Sequence, residues 1–246
     1  MIQPTTQAAM ADAHRSARDR MLETIVAETR QCAFLTGRRQ LSPAVLAAIG
    51  NIPRHLFVPS EEQEWAYENI PLPIGAGQTI SQPFIVALMS DLLQPQADHT
   101  VLEIGTGSGY QAAILSLLAR QVYSVERIPI LAEQARRRLQ ALHIQNVAIR
   151  IADGHQGWPE HAPFDAILVT AAAARLPPAL LQQLKPGGRL VIPVGWPGQT
   201  QDLQVVEKDA RGRIQAHSLL PVAFVPLIES PSFPHSESSP ELRGDH

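Results

Sequence analysis

Cysteine is almost absent from this chain: Cys32 stands alone among 246 residues. No intrachain disulfide can form, so a reducing, cytoplasmic compartment is expected. No run is long and apolar enough to span a bilayer. A basic excess is missing too. The formal net charge is −3, which argues against nucleic acid as a partner. No His/Cys/carboxylate spacing makes a metal site. Residues 1–17 lack the apolar core of a secretory signal and read as a loose polar leader.

What is present falls into zones. Residues 18–97 form an N-terminal helical and loop lobe, with helical patterns over Met21–Phe34, Pro43–Ile49 and Pro83–Leu93. Ser42 is positioned to cap the second of these, ahead of Pro43 at its first turn, and Ser81 to cap the third ahead of Pro83. From residue 98 to 227 short apolar strands alternate with helices. Strands are expected at 100–104, 122–126, 147–151, 165–170, 188–194, 202–207 and 213–225, and helices near 109–119, 129–142 and 177–185. That alternation implies an α/β, doubly wound, mostly parallel Rossmann-like sheet. The last two strands have only a turn around Gly212 between them, so an antiparallel C-terminal pair is expected. Residues 228–246 are rich in Ser, Pro and Glu and read as a disordered tail. Lobe and core together read as one integrated catalytic domain.

The segment Val101–Ala113 carries the most chemistry: an apolar strand, a turn with Gly105, Thr106, Gly107 and Gly109, then a helix start. Glycines let a backbone turn sharply and lie close to a ligand. Glu126 ends the next apolar run, where nucleoside-binding folds place a carboxylate for ribose hydroxyls. A nicotinamide dinucleotide is disfavoured. Tyr110 stands at the third glycine of that fingerprint, and Glu103 would oppose a pyrophosphate. A cationic ligand reverses the objection. The pattern E-x-G-x-G-x-G with a distal acid therefore suits S-adenosylmethionine, the alternative being an ordinary turn with two surface carboxylates. Asp153-Gly154, after the third strand, either meets the adenine or simply marks a turn. Asp165 reads as structural more than functional. After the fourth strand comes Thr170-Ala-Ala-Ala173 instead of the Asn/Asp-Pro-Pro-aromatic motif of amino-directed nucleic-acid methylases.

A second stretch, Gly75-Ala-Gly-Gln-Thr-Ile-Ser-Gln-Pro83, places Thr79, Ser81 and Gln82 at a helix start. A helix N-terminus favours an anion, so these residues either hold a carboxylate or form a plain capping loop.

The chain resembles the protein-L-isoaspartate (D-aspartate) O-methyltransferase family. The matching segments are Pro53–Pro59, Ala66-Tyr67, Gly77–Pro83, Val101–Ala113, Val122–Arg127, Asp153-Gly154, Gly157-Trp158, Ala162–Asp165, Gln183–Gly188, Val191–Val194 and Phe224–Leu227. The Gln-Thr-Ile-Ser-Gln-Pro loop, complete here, distinguishes that family among methyltransferases. One departure is Asn69, where many members have Asp. The resemblance implies methyl esterification of the free α-carboxylate of isoaspartyl residues in damaged proteins and peptides. The ester then closes to a succinimide without the enzyme. It implies Ser81 as the active-site serine, with Thr79 and Gln82 at the substrate. Glu103, Gly105, Thr106, Gly107, Gly109, Glu126, Asp153 and Gly154 are expected at S-adenosylmethionine. The acceptor is already ionised, so no base is required and His55 and His155 are not expected to act. A monomer is expected. Two rivals are a methyltransferase for another carboxylate or hydroxyl acceptor, and a non-catalytic module that recognises isoaspartyl sites.

Overall fold

A computed structural model describes residues 6–196 and 198–228. The expected tail lies outside the described residues from position 229 onward.

The lobe begins with α1 (Thr6–Gln31), followed by α2 (Ala33–Thr36), α3 (Pro43–Asn51), the strands β1 (Leu72–Gly75) and β2 (Gln78–Ile80), and α4 (Pro83–Leu93). The leader expectation fails over residues 6–17, which are helical. Alanine is the best helix former, and Ala8, Ala9, Ala11, Ala13 and Ala17 fall in that stretch. α3 starts as its sequence suggests. Ser42 Oγ accepts from Val45 N at 3.2 Å with Pro43 in the first turn, and Val45, Ala48 and Ile49 form the buried stripe. α4 differs. Its N-cap is Gln82 and its side chain makes no capping bond, so Ser81 does not cap it. Asn69 Oδ1 instead accepts from Phe84 N at 2.9 Å, a long-range contact that local sequence does not announce. The segment before α4 also differs from a plain loop. β1 and β2 pair as an antiparallel hairpin across Ala76-Gly77, both with positive φ.

The core contains β3 (Thr100–Ile104), α5 (Tyr110–Ser116), β4 (Gln121–Glu126), α6 (Pro129–Ala141), β5 (Val147–Ile151), β6 (Phe164–Val169), α7 (Pro178–Gln183), β7 (Leu184–Val194), β8 (Gln201–Lys208) and β9 (Ile214–Val222). The sheet order is β5-β4-β3-β6-β7-β8-β9. β5, β4, β3, β6 and β7 are mutually parallel, and β8 is antiparallel to both its neighbours. Period-two alternation sends Val101, Val122, Leu168 and Val191 to one apolar layer and Leu102, Val125, Ile167 and Leu190 to the other. Both faces of the sheet are therefore covered, as a doubly wound fold requires.

Two consequences position the site. The chain leaves β3 between β4 and β6, on opposite sides of it, which makes a topological switch point at the carboxyl end of β3. At the other end of the sheet, the two reversals at β8 and β9 bring Val222 back beside Gln201, at the end where β7 finishes. Residues 223–228 therefore run along the carboxyl edge, fastened by Ala172 N to Val225 O and Leu227 N to Ala172 O, both at 2.8 Å. Asp165 sits at the opposite edge. There it accepts from Thr100 N at 2.7 Å and Lys185 Nζ at 2.5 Å. Burial opposes its charge, but these donors hold the carboxyl below its usual range.

Candidate active site

The turn after β3 is latched on three sides. Gly105 has φ 94°, and a Cβ there would lie 2.5 Å from Thr170 Oγ1. That hydroxyl donates to Gly105 O at 2.6 Å and to Ile104 O at 3.1 Å, tying the turn to the end of β6. Glu126, at the end of β4, accepts from Gly107 N through one oxygen and from Ile128 N through the other, both at 2.8 Å. Gly109, φ 89°, starts α5 where a Cβ would come within 3.1 Å of Ala135 on α6. Its role here is close helix packing.

Two cavities meet above this turn. The first is lined by Gly105, Gly107, Glu126 and Gly154 from the core and by Gln78 and Thr79 from β2. Gly154 is needed there because a Cβ would approach Ile104 Cγ2 to 2.5 Å. The second, a cleft of ≈ 430 Å³, is lined by Thr79, Ser81 and Gln82 from the lobe and by Val222–Val225 and Thr200 from the core. Thr79, Thr170 and Val225 line both. The structure thus gathers most of the sequence-selected residues, and leaves four outside either cavity. Glu103 and Thr106 are buried behind the turn, and Gly109 packs against α6. Asp153 lines a neighbouring groove with His155 and Arg175, and its Oδ1 accepts from His155 N at 2.9 Å.

Ser81 is held by its main chain. Arg54, fully buried, donates from Nη2 to Ser81 O and from Nε to Ala66 O, both at 2.8 Å. Its guanidinium carbon lies 5.0 Å from the Tyr110 ring centroid, a cation–π arrangement. Burial lowers the Arg54 pKa to about 10, so it remains a cation at neutral pH. It makes no ion pair among the described residues. The Ser81 loop therefore rests on a positive charge with no acid paired to it among the described residues. His55 offers no such charge. Burial first, then His14 and Arg18, lower its pKa to about 4, and its Nδ1 lies 2.8 Å from Tyr67 Oη.

Glu103 pairs across the sheet with Ser124, whose hydroxyl donates to Glu103 Oε2 and lies 2.5 Å from Thr106 Oγ1. Glu103 Oε1 has no hydrogen-bond partner among the described residues. Burial raises its pKa to about 8, Ser124 works against the rise, and the Glu126 charge adds to it. The sign of the pH effect follows. The folded value of about 8 exceeds the ordinary 4.5, so between them the folded chain holds a proton that the unfolded chain has lost. Stability then falls as pH rises through that window, by an amount on the order of a few kcal/mol. Glu103→Gln, which keeps the shape and removes the titration, is expected to flatten the decline. Thermal unfolding of both proteins across the window checks this, and parallel slopes would count against it.

Several lining residues escaped the sequence reading. Gln78, Thr200 and Val225 reach the cavities through the hairpin and the strand reversals; Gln78 and Val225 stood in family-like segments with no role assigned to them, and no local motif marks Thr200. Arg54 stood in a family-like segment, but nothing in the sequence says that its charge is buried without an acid.

A glycine cradle at a parallel switch point, with a carboxylate at the next strand end and an adjoining cleft, defines a Rossmann-like methyltransferase of the S-adenosylmethionine-dependent class. The chain belongs, within that class, to the Protein-L-isoaspartate(D-aspartate) O-methyltransferase (PCMT) family, whose model matches residues 31–232. It is 55% identical over 216 residues to Protein-L-isoaspartate O-methyltransferase 2 of Syntrophobacter fumaroxidans, covering 88% of this chain and 87% of the relative. It is 56% identical over 207 residues to the enzyme of the same name from a Polaromonas species, covering 84% of this chain and 98% of that one. Among solved structures, a protein-L-isoaspartate O-methyltransferase superposes with TM-score 0.74 at 29% identity, over 85% of this chain and 65% of that longer one. A Plasmodium falciparum protein of the same description, in complex with S-adenosyl-L-homocysteine, superposes with TM-score 0.69 at 25% identity, over 88% of this chain and 99% of that one.

Proposed function

We propose that this chain methylates the free α-carboxylate of L-isoaspartyl residues in damaged proteins and peptides, using S-adenosylmethionine, and so begins their repair through a succinimide. The observation that carries this reading is the junction of two cavities at Thr79, Thr170 and Val225. One cavity has the glycine cradle, the other the hydroxyl and amide loop.

The first cavity fits the cofactor. Gly105 and Gly154 leave space that a Cβ would fill, and the Glu126 carboxylate lines the same wall. Gly105, Gly107 and Thr106 would form the methionine-side turn, Glu126 would take the ribose, and Gly154 with Asp153 would flank the adenine. Glu103 and Gly109 act from behind. Glu103 works through Ser124 and Thr106, and Gly109 sets the helix that carries the turn. When bound, the cofactor supplies an electrophilic methyl group. The protein's own work is alignment. Ser81 donates a hydrogen bond to the acceptor carboxylate, Thr79 and Gln82 shape its surroundings, and the apolar segment 222–225 excludes water. The acceptor oxygen is already anionic, so no proton has to be removed first. Holding reacting groups in line can supply most of the barrier reduction. The lobe over residues 18–97 and the core over 98–227 act as one catalytic unit, because Thr79 of one and Thr170 of the other line both cavities. The lone Cys32 suits a cytoplasmic setting. Among the described residues, no helix is long and apolar enough to cross a membrane.

The test uses two peptides that differ only in one L-isoaspartyl or L-aspartyl linkage, with methyl-labelled S-adenosylmethionine. Base-labile label is expected on the isoaspartyl peptide alone. Ser81→Ala is expected to lower kcat/KM about ten- to a hundredfold, as loss of one hydrogen bond to a charged group does. Label on neither peptide, with the cofactor still bound, would assign the cleft to another acceptor.

A further inference from the structure

The acceptor cleft has charge of one sign on its wall. The buried Arg54 guanidinium donates to Ser81 O but does not line the cleft. Among the residues that line the cleft, Glu28 alone is charged, and it comes from the C-terminal part of α1. It is half-buried and makes no ion pair among the described residues. Its hydrogen-bond partner is neutral: Asn69 Nδ2 donates to Glu28 Oε1 at 2.6 Å. The other end of the same amide accepts from Phe84 N at 2.9 Å, so Glu28 is fixed to the start of α4, beside Ser81 and Gln82. A carboxylate held in place without a cation is matched by a cation on whatever enters. Such pairing shapes specificity more than raw affinity.

We infer that Glu28 is a specificity determinant, selecting isoaspartyl sites that have a Lys or Arg side chain near them in sequence over sites flanked by carboxylates. The inference rests on the isoaspartyl reading of the cleft.

The experiment uses a set of L-isoaspartyl peptides carrying Lys, Gln or Glu at one position on either side of the damaged residue. kcat/KM is measured for the unaltered enzyme and for Glu28→Gln and Glu28→Lys, at low and high salt. For the unaltered enzyme at low salt, the Lys peptide is expected to exceed the Glu peptide by about five- to tenfold on one side of the isoaspartyl residue, chiefly through KM. High salt should shrink that ratio. Glu28→Gln should bring it to about one, and Glu28→Lys should invert it. A ratio that survives Glu28→Gln unchanged overturns the assignment, as does equal use of all the peptides by the unaltered enzyme. Turnover of none of them by the unaltered enzyme overturns the isoaspartyl reading, and this inference with it.

Discussion

Arg54→Met is expected to slow turnover by about a hundredfold while cofactor affinity changes by less than about threefold. The substitution removes the donors of Ala66 O, which is buried, and of Ser81 O, which is partly buried. Each orphaned group costs about 1–3 kcal/mol. Part of that is offset, because a cation held without an acid is itself costly to bury. Net destabilisation should therefore be modest, about 1–3 kcal/mol, and the protein should still fold. The Ser81 main chain loses its tether, and misplacement of an aligning group by about 1 Å is enough for a hundredfold loss. The cofactor cavity is bounded by Gly105, Gly107 and Glu126, none of which Arg54 touches by hydrogen bond. Steady-state kinetics with an isoaspartyl peptide, beside calorimetric titration with S-adenosylhomocysteine, separates the two effects. Arg54→Lys keeps the charge and should recover part of the rate. A methionine variant within threefold of the normal rate would contradict the tether.

The second large effect is expected at Gly105. A valine there meets two obstacles at once. The backbone has φ 94°, which a β-branched residue rarely adopts, and the new Cβ would sit 2.5 Å from Thr170 Oγ1. Thr170 cannot simply turn away without giving up its bonds to Ile104 O and Gly105 O. The turn must shift, and the cofactor wall shifts with it. Gly105→Val should weaken S-adenosylhomocysteine binding by more than about a hundredfold and destabilise the fold by about 2–4 kcal/mol, the scale of combined strain and overpacking. Gly212→Ala is the control. It also has positive φ, at 79°, but nothing lies within 4 Å of its added Cβ. It should show a smaller loss of stability and unchanged ligand binding. Tight binding by the valine variant would mean that the turn is softer than its contacts indicate.

What the sequence announced and what it concealed divide along physical lines. Strands β3 to β7 were legible because each contains a short apolar run bounded by turn residues, and a parallel sheet buried on both faces demands such runs; β8 and β9 were legible as a pair from the turn around Gly212. α3 was legible because Ser42 and Pro43 act within one turn of it. The glycine turn and Glu126 were legible because they serve a ligand at fixed spacing. Most of what was concealed depends on chain segments far apart in sequence. Asn69 caps α4 from 15 residues away. Arg54 reaches Ser81 across 27. Glu103 was read as a charge facing a cation, yet its complete burial against Ser124 raises its pKa. Its neighbours on β4 decide that, and an isolated motif cannot. The early start of α1 is a local matter: residues 6–17 are polar, which resembles a leader, but also rich in alanine, which favours a helix.

The return of the last strand has a consequence for synthesis. Val225 lines both cavities, and Leu227 N fastens its segment to Ala172. A nascent chain that has emerged only as far as β8 already possesses the glycine turn, Glu126 and Ser81. It has neither closed cavity. Competence for methyl transfer is therefore expected only once residues 222–228, which line the two cavities, are in place.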